Sequence, residues 1–260
     1  HNLFIEYGLW RYTINEDSDF VTTREGILDQ SDREVPSEKG YKWINTYRLN
    51  TDKLTLELTG YLNYVSNFIY SKPAGITRTA RGSFVFFIYD QTDALLWGVD
   101  ASSSWTHSPQ FTAGVKGSFL WSKQLSPADF FANQPAPQLT YQLGYQPKID
   151  WLAASKLQLR FDYTFEQFQH PRVITVEDFL FAAQQGIDRF SENALDFDLL
   201  PPPPAYLLTH ASWTSRWKKL QLRCEVRNLF NVSYRNYTDR TRYFADDLGR
   251  NFQTTITIHI

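Results

Sequence analysis

The side chains able to do chemistry are scattered along this sequence. The five histidines, His1, His107, His170, His210 and His259, fall in neither an H-x-x-x-H nor an H-E-x-x-H pattern. No helix face therefore brings two imidazoles to one metal ion. No G-x-S-x-G elbow occurs, so a serine hydrolase of that type has no support. One cysteine, Cys224, excludes an internal disulfide framework and a cysteine-only metal cluster. It alternates with apolar residues and reads as a buried or lipid-facing thiol. Asp246 and Asp247 are adjacent acids. Such a pair can bind a cation or do acid–base work, but neighbouring loop acids more often form a solvated surface. No catalytic group, metal site or cofactor is expected, and the chain does not read as an enzyme.

Two other sets of polar residues suit binding. "SKPAGITRTARGSF" carries Arg78 and Arg81, with Tyr70 and Phe84 at the strand ends. "YRNYTDRTRYF" carries Arg235, Arg240 and Arg242 among Tyr237, Tyr243 and Phe244. Guanidinium groups beside rings suit an anionic, ring-bearing ligand such as a ferric chelate. The same mixture packs loops together or anchors them to lipopolysaccharide phosphates. The second set is Glu57, Lys116, Arg160, Asp162, Glu166, His210, Arg223, Glu225 and Arg227, which alternate with apolar residues. Both signs are present, as expected of charges that pair across neighbouring strands.

The elements that hold these residues are strands. In "FQTTITIHI", Phe252, Thr254, Ile256, Ile258 and Ile260 share one face. Leu157, Leu159, Phe161, Tyr163 and Phe165 do the same, as do Leu220, Leu222, Cys224 and Val226. So do Leu139, Tyr141, Leu143 and Tyr145, and so do Phe111, Ala113, Val115, Phe119 and Trp121. "KLTLELTGYLNY" alternates from Leu54, and "AYLLTHASWTSRW" fits with Leu207, Ala211 and Trp213 on one face. "SFVFFIYDQTDALLWGVDASSSW" changes parity, which predicts a bulge. Period-two alternation predicts about ten strands. Many have about ten or more residues, longer than the usual five or six of globular sheets and enough to cross a bilayer when tilted.

Connections alternate in length. Those near 50–53, 106–110, 148–155 and 217–219 are short; those near 14–40, 71–83, 125–137, 170–204 and 235–249 are long. An antiparallel meander then has short turns at one end and long loops at the other, as outer-membrane barrels do. Aromatic residues collect at strand ends: Trp10, Tyr12, Trp43, Trp105, Trp121, Trp213, Trp217, Phe230 and Tyr234. Rings flanking an apolar band suit a membrane interface. "VEDFLFAAQQGI" predicts a short helix with Phe179, Leu180 and Ala183 on one face. The "PPPP" at 201–204 stiffens the return to the sheet.

The 260 residues carry a net charge of -2 and 17% aromatic residues. That balance gives no reason to expect a nucleic-acid partner. There is no methionine, no run of 18 apolar residues and no signal peptide, and "HNLFIEYGLW" reads as a strand already under way. A processed or partial chain is the expectation.

"EVRNLFNVSYRNYTDRTRYFADDLGRNFQTTITIHI" resembles the C-terminal end of TonB-dependent outer-membrane receptors. The matching residues are Asn228, Leu229, Phe230, Asn231, Tyr234, Gly249 and Arg250. "DFDLLPPPPAYLLTHASW", "EKGYKWINTYRL", "LTGYLNYVSNFIY" and "FIYDQTDALLWGVDAS" resemble earlier segments of the family in the right order, so the likeness runs from about residue 36 to 260. Ile260 departs from the Phe or Trp with which many outer-membrane proteins end.

The resemblance implies an all-β, antiparallel transmembrane β-barrel. Residues 1–260 would be the C-terminal half of a roughly 22-stranded barrel, with the plug domain absent. It implies an outer-membrane active-transport receptor of a Gram-negative bacterium. Such a receptor binds and imports a scarce nutrient, an iron-siderophore or other metal chelate, driven by TonB. The implied partners are the N-terminal plug and remaining strands in the same or a separate chain, the TonB complex through the plug, outer-membrane lipid and lipopolysaccharide, and the nutrient. The polar face that carries Glu57, Lys116, Arg160 and Asp162 would meet the plug. Two alternatives stay open: a self-contained small barrel acting as a pore or membrane-embedded hydrolase, and a soluble β-sandwich that binds carbohydrate.

Overall fold

A computed structural model describes residues 11–14, 20–23, 36–79, 82–175, 177–178, 181, 184–185 and 196–259. The strands are β1 Arg11–Ile14, β2 Phe20–Thr23, β3 Lys39–Asn50, β4 Leu54–Thr79, β5 Gly82–Ser108, β6 Phe111–Gln124, β7 Gln138–Tyr145, β8 Ala154–Thr164, β9 Arg172–Val173, β10 Phe197–Asp198, β11 Tyr206–Trp217, β12 Leu220–Arg227 and β13 Asn251–Ile258. Nine of them form one sheet in the order β13-β12-β11-β8-β7-β6-β5-β4-β3. Every neighbouring pair in it is antiparallel. β1 and β2 form a separate antiparallel pair, and β9 and β10 a short parallel one. The expected strand through "HNLFIEYGLW" lies outside the described residues.

The alternation has the expected result. Leu58, Val99, Val115, Leu139, Leu159 and Trp213 share one face and are exposed. An exposed apolar face of this extent needs a nonaqueous neighbour. Trp97 and Trp105 lie eight residues apart on that face of β5, about 26 Å along a strand. With barrel tilt this matches an apolar band of about 25 Å with aromatic rims. Near one rim Trp97 packs with Phe119 at 5.6 Å and with Trp121 at 6.0 Å, and Phe130 meets Trp121 edge-on at 5.5 Å.

Turns 51–53, 109–110, 146–153 and 218–219 lie at one end of the strands, and segments 125–137, 165–205 and 228–250 at the other. The 71–83 stretch departs from its expected loop. β4 and β5 keep pairing to Thr79 opposite Gly82, with register shifts between Val65 and Phe68 and between Pro73 and Gly75. The ladder answers its own backbone hydrogen bonds past the apolar band, and Gly75, at φ 138°, takes up the second shift. Both shifts put the extra residue on β4. The bulge expected within 83–105 of β5 is not there, and the shift on β5 itself falls between Thr106 and Ser108, against β6. The predicted helix near 176–187 is present at Glu177, Asp178, Phe181 and Gln184. Thr175 and Asp178 cap it reciprocally: each backbone N–H donates to the other's side chain at 3.2 Å. Its face of Phe179, Leu180 and Ala183 lies outside the described residues.

Among the described residues β3 and β13 each pair on one side only, and both are exposed along their length. The sheet is therefore a barrel wall that does not close on itself. The buried apolar clusters lie in the long-loop cap: Tyr70, Ala94 and Phe131 in one, Ile174, Phe197 and Leu199 in the other.

Candidate functional site: a polar wall under a cross-linked loop cap

Register aligns the polar residues. Glu57, Ser102, Lys116, Thr140, Asp162 and Leu208 form one cross-strand row. Gln142, Arg160 and His210 form the next. Glu225 lies opposite Ser212, Arg223 opposite Thr214, and Arg227 opposite Asn251 on the same face. Glu166 is the exception: β8 ends at Thr164, so Glu166 lies in the loop beyond it. The charges pair locally. Arg48 Nε meets Glu57 Oε2 at 2.8 Å, and Arg160 Nε meets Asp162 Oδ2 at 2.9 Å. His210 Nε2 lies 3.1 Å from that same oxygen. Glu225 accepts from Arg223 Nη2 and Arg227 Nε, each at 2.8 Å.

The "NLFN…GR" residues now have physical roles. Asn228 and Asn231 take left-handed φ values of 50° and 54°, which asparagine tolerates. Asn228 clamps Val232, accepting from its N–H and donating to its carbonyl, both at 2.8 Å. Asn231 Oδ1 accepts from the Arg250 N–H at 2.8 Å. A Cβ on Gly249 would stand 2.8 Å from Asn231 Oδ1, so a side chain there would disturb that clamp. These contacts tie the start of β13 to the end of β12.

The loop arginines hold the cap together. Arg242 is 1% exposed and its Nη2 meets the buried Asp198 Oδ2 at 2.5 Å. Asp198 also accepts from Tyr237 at 3.1 Å and Tyr243 at 2.6 Å. The guanidinium lies over both rings, 4.6 and 4.3 Å from their centroids. Burial, then the Asp198 charge, pushes both phenols above their ordinary range. Arg240 lies 4.3 Å from the Phe87 centroid and donates to Ser71 Oγ at 2.8 Å. Arg235 donates to Asp246 Oδ1 at 2.6 Å and to the Arg242 carbonyl at 2.8 Å. Ser233 also donates to Asp246. Tyr70 is buried and donates to Gln124 Oε1 at 3.2 Å. Arg78 and Phe84 sit opposite Ser83 and Thr77 in the last pairs of the β4–β5 hairpin; Arg81 lies outside the described residues. The expected ligand contacts thus include six residues engaged in loop cross-links or burial: Tyr70, Arg235, Tyr237, Arg240, Arg242 and Tyr243.

Asp196 is the second anchor. It meets Lys72 Nζ at 2.9 Å and Gln124 Nε2 at 2.5 Å, while Lys72 also meets Asp90 at 2.5 Å. Burial works to lower the Lys72 pKa, but the hydrogen bonds to Asp90 and Asp196 leave it raised. "DFD" at 196–198 therefore docks its loop onto β4, the end of β6 and the 228–250 loop. In the sequence these residues stand out only as part of a segment resembling the family; the acid–aromatic–acid alternation two residues before PPPP was the available signal.

Between wall and cap a cleft of about 470 Å³ opens on the polar face. Its floor includes Thr140, Asp162 and Tyr206; its roof is Tyr234, Asn236 and Asp247. Asp246 and Asp247 thus diverge: the first is spent on Arg235 and Ser233, the second lines the cleft.

An antiparallel meander with an exposed apolar band outside, a charge-paired wall inside and short turns at one end defines part of a transmembrane β-barrel. The chain belongs to the family of the TonB dependent receptor-like beta-barrel, whose model matches residues 36–229. That family consists of outer-membrane receptors and transporters. Among solved structures the chain is similar to the copper transporter OprC, with 17% identity and a TM-score of 0.65, over 87% of this chain and 32% of that one. It is similar to the ferric yersiniabactin uptake receptor FyuA from Yersinia pestis at 13% identity and a TM-score of 0.54, over 85% and 30%. The FrpB iron transporter from Neisseria meningitidis (F3-3 variant) gives 10% identity and a TM-score of 0.58, over 86% and 32%. These likenesses concern the fold, and the chain spans about a third of each structure's length. No curated protein matches the sequence.

Proposed function

We propose that this chain is the C-terminal part of the barrel of a TonB-driven outer-membrane receptor that imports a scarce small nutrient into a Gram-negative cell. The observation that carries this reading is the sheet itself: the chain matches the receptor barrel family, and among the described residues its β3 and β13 edges carry no further strand. A plug and the remaining strands, in the same or a separate chain, would complete it. The charge-paired lower wall would face the plug, and the cap would face outside. Outer-membrane lipid would cover the apolar band. On the precedent of the copper and iron proteins that share the fold, the nutrient would be a metal chelate; the cleft suggests a different class, argued below.

The test begins with the mass of the native polypeptide. An antibody against "FADDLGRNFQ" should mark an outer-membrane band far above 30.4 kDa. Uptake of the nutrient should stop when TonB is deleted. A band near the chain's own mass with no partner chain would instead favour the self-contained small barrel.

A further inference from the structure

We propose that the cleft beneath the 228–250 loop binds a neutral, polyhydroxylated ligand, an oligosaccharide, rather than an anionic ferric chelate. This rests on reading the protein as a nutrient receptor. The first argument is charge. The cleft's charged residues are Lys116, Arg160, Asp162 and Asp247, two of each sign. Arg160 already meets Asp162 at 2.9 Å. Such a surface offers no net positive field to concentrate an anion.

Three of the cap's described arginines are, moreover, engaged elsewhere. Arg242 is buried against Asp198, Arg235 pairs with Asp246, and Arg240 is engaged by Ser71 and the Phe87 ring. They are three of the five loop arginines expected to recognise a carboxylate- or catecholate-bearing chelate; the side chains of Arg78 and Arg81 lie outside those described. A bare metal ion finds no better welcome. The described residues hold no group of three or more His, Cys, Asp or Glu placed to ligate one, and the chain has no methionine.

What the cleft does offer is amides, hydroxyls and rings. Gln138, Gln142 and Asn236 both donate and accept, as Thr140 and Thr164 do. A sugar hydroxyl also does both, so each can be matched without leaving a charge unpaired. Asp162 and Asp247 add acceptors. Tyr206 and Tyr234 stand with centroids 4.8 Å apart and planes at 39°. Both are half-buried and line the cleft. Tilted phenol rings present apolar faces to the C–H faces of a pyranose and keep a polar edge for its hydroxyls. The volume, about 470 Å³, lies within the range of small-molecule sites. Burial and the Asp247 charge raise the Tyr234 pKa, so this phenol stays a neutral donor.

The test uses the intact receptor, purified in detergent and titrated calorimetrically. The probes are maltohexaose, cellohexaose, xylohexaose and chitohexaose, with ferric citrate as the anionic chelate. At least one saccharide should bind and ferric citrate should not. Tyr206→Ala and Tyr234→Ala should each weaken saccharide binding by about tenfold, the equivalent of about 1.4 kcal/mol. Tyr206→Phe and Tyr234→Phe keep the rings and should retain most of the affinity, which separates ring loss from misfolding. Ferric citrate binding that ignores both alanine variants would overturn the ligand class and leave the receptor reading intact. Saccharide binding unchanged in both alanine variants would overturn the site. If no saccharide binds at millimolar concentration, the proposal fails; the receptor reading is then judged separately, by the native mass and by TonB-dependent uptake.

Discussion

Leu54 and Phe252 lie on one unbroken cross-strand row although they belong to opposite ends of the barrel wall. The row passes from Leu54 through Trp105, Ala113, Leu143, Leu159, Ala211 and Val226 to Phe252. Leu54 opens β4 beside a short turn, whereas Phe252 is the second residue of β13, just after a long loop. Val226 stands six residues beyond Leu220, the turn-side start of β12. The row thus climbs about one residue per strand. At about 3.3 Å per residue and 4.8 Å between strands, that stagger corresponds to a tilt of about 35°, within the range that closes a barrel.

Cys224 tests which face meets lipid. It pairs with Trp213 and Thr254 on the apolar face and is the chain's one cysteine. In the receptor reconstituted in vesicles, a membrane-soluble maleimide should label it, whereas a charged, water-soluble maleimide should not. Rapid labelling by the water-soluble reagent would place this face in water and remove the membrane assignment.

Gly98 tests the packing of the inner wall. A Cβ there would lie 2.4 Å from both the Phe119 carbonyl oxygen and the Tyr61 hydroxyl. Tyr61 lies across the strand from Gly98 and covers it. Gly98→Ala should cost about 1–3 kcal/mol, as overpacking does, read from urea unfolding in micelles. Adding Tyr61→Ala should recover only part of this, because the Phe119 carbonyl remains. Full recovery in the double variant would mean that the backbone contact does not matter.

Asp198 tests the cap. Asp198→Ala would leave Arg242 buried without its carboxylate, a change of about 3–5 kcal/mol in comparable buried pairs. Tyr237 and Tyr243 would also lose their acceptor. Protease cleavage within 228–250 should increase several-fold while β12 and β13 stay protected. An equally resistant loop would show that other contacts hold it.

Asp246 sets an acid limit on the same loop. The Ser233 hydrogen bond, then that of Arg235, holds its carboxyl below the usual range. A depressed folded pKa gives a contribution that is present above the unfolded value and lost as pH falls through the folded one. The window therefore lies below about pH 4, and the effect is small because the pair is exposed. Amide exchange around Arg235 should quicken below that pH, and Asp246→Asn should flatten the response. A loosening centred near neutrality would point to another group.

The barrel wall was legible because strand alternation is local. Once Leu157 and Gln158 point opposite ways, every neighbour from Lys156 to Tyr163 is assigned to a face. The mixed charges of the polar face were legible for the same reason, up to Glu166, where β8 has already ended. The cap was not. Arg242 finds Asp198 at a sequence separation of 44 residues, and Lys72 finds Asp196 at 124. No local pattern states such pairings, so the partners of Arg242 and Lys72 could not be read from the sequence. The 71–83 stretch misled for a related reason: glycine and proline signal a turn, but here they mark a register shift within a continuing hairpin.

Above Ser118 the backbone of β6 has no partner on β7, and a single side chain takes over: Gln169 accepts from the Ser122 N–H at 3.0 Å and donates to the Leu120 carbonyl at 2.9 Å. Gln167 fixes the same segment by accepting from the Gln169 N–H at 2.9 Å. The long 165–205 excursion is thus fastened to the wall by detachable fingers rather than woven into it. Between Gln169 and Asp196 the loop can lengthen or shorten without shifting one rung of the ladder that forms the wall.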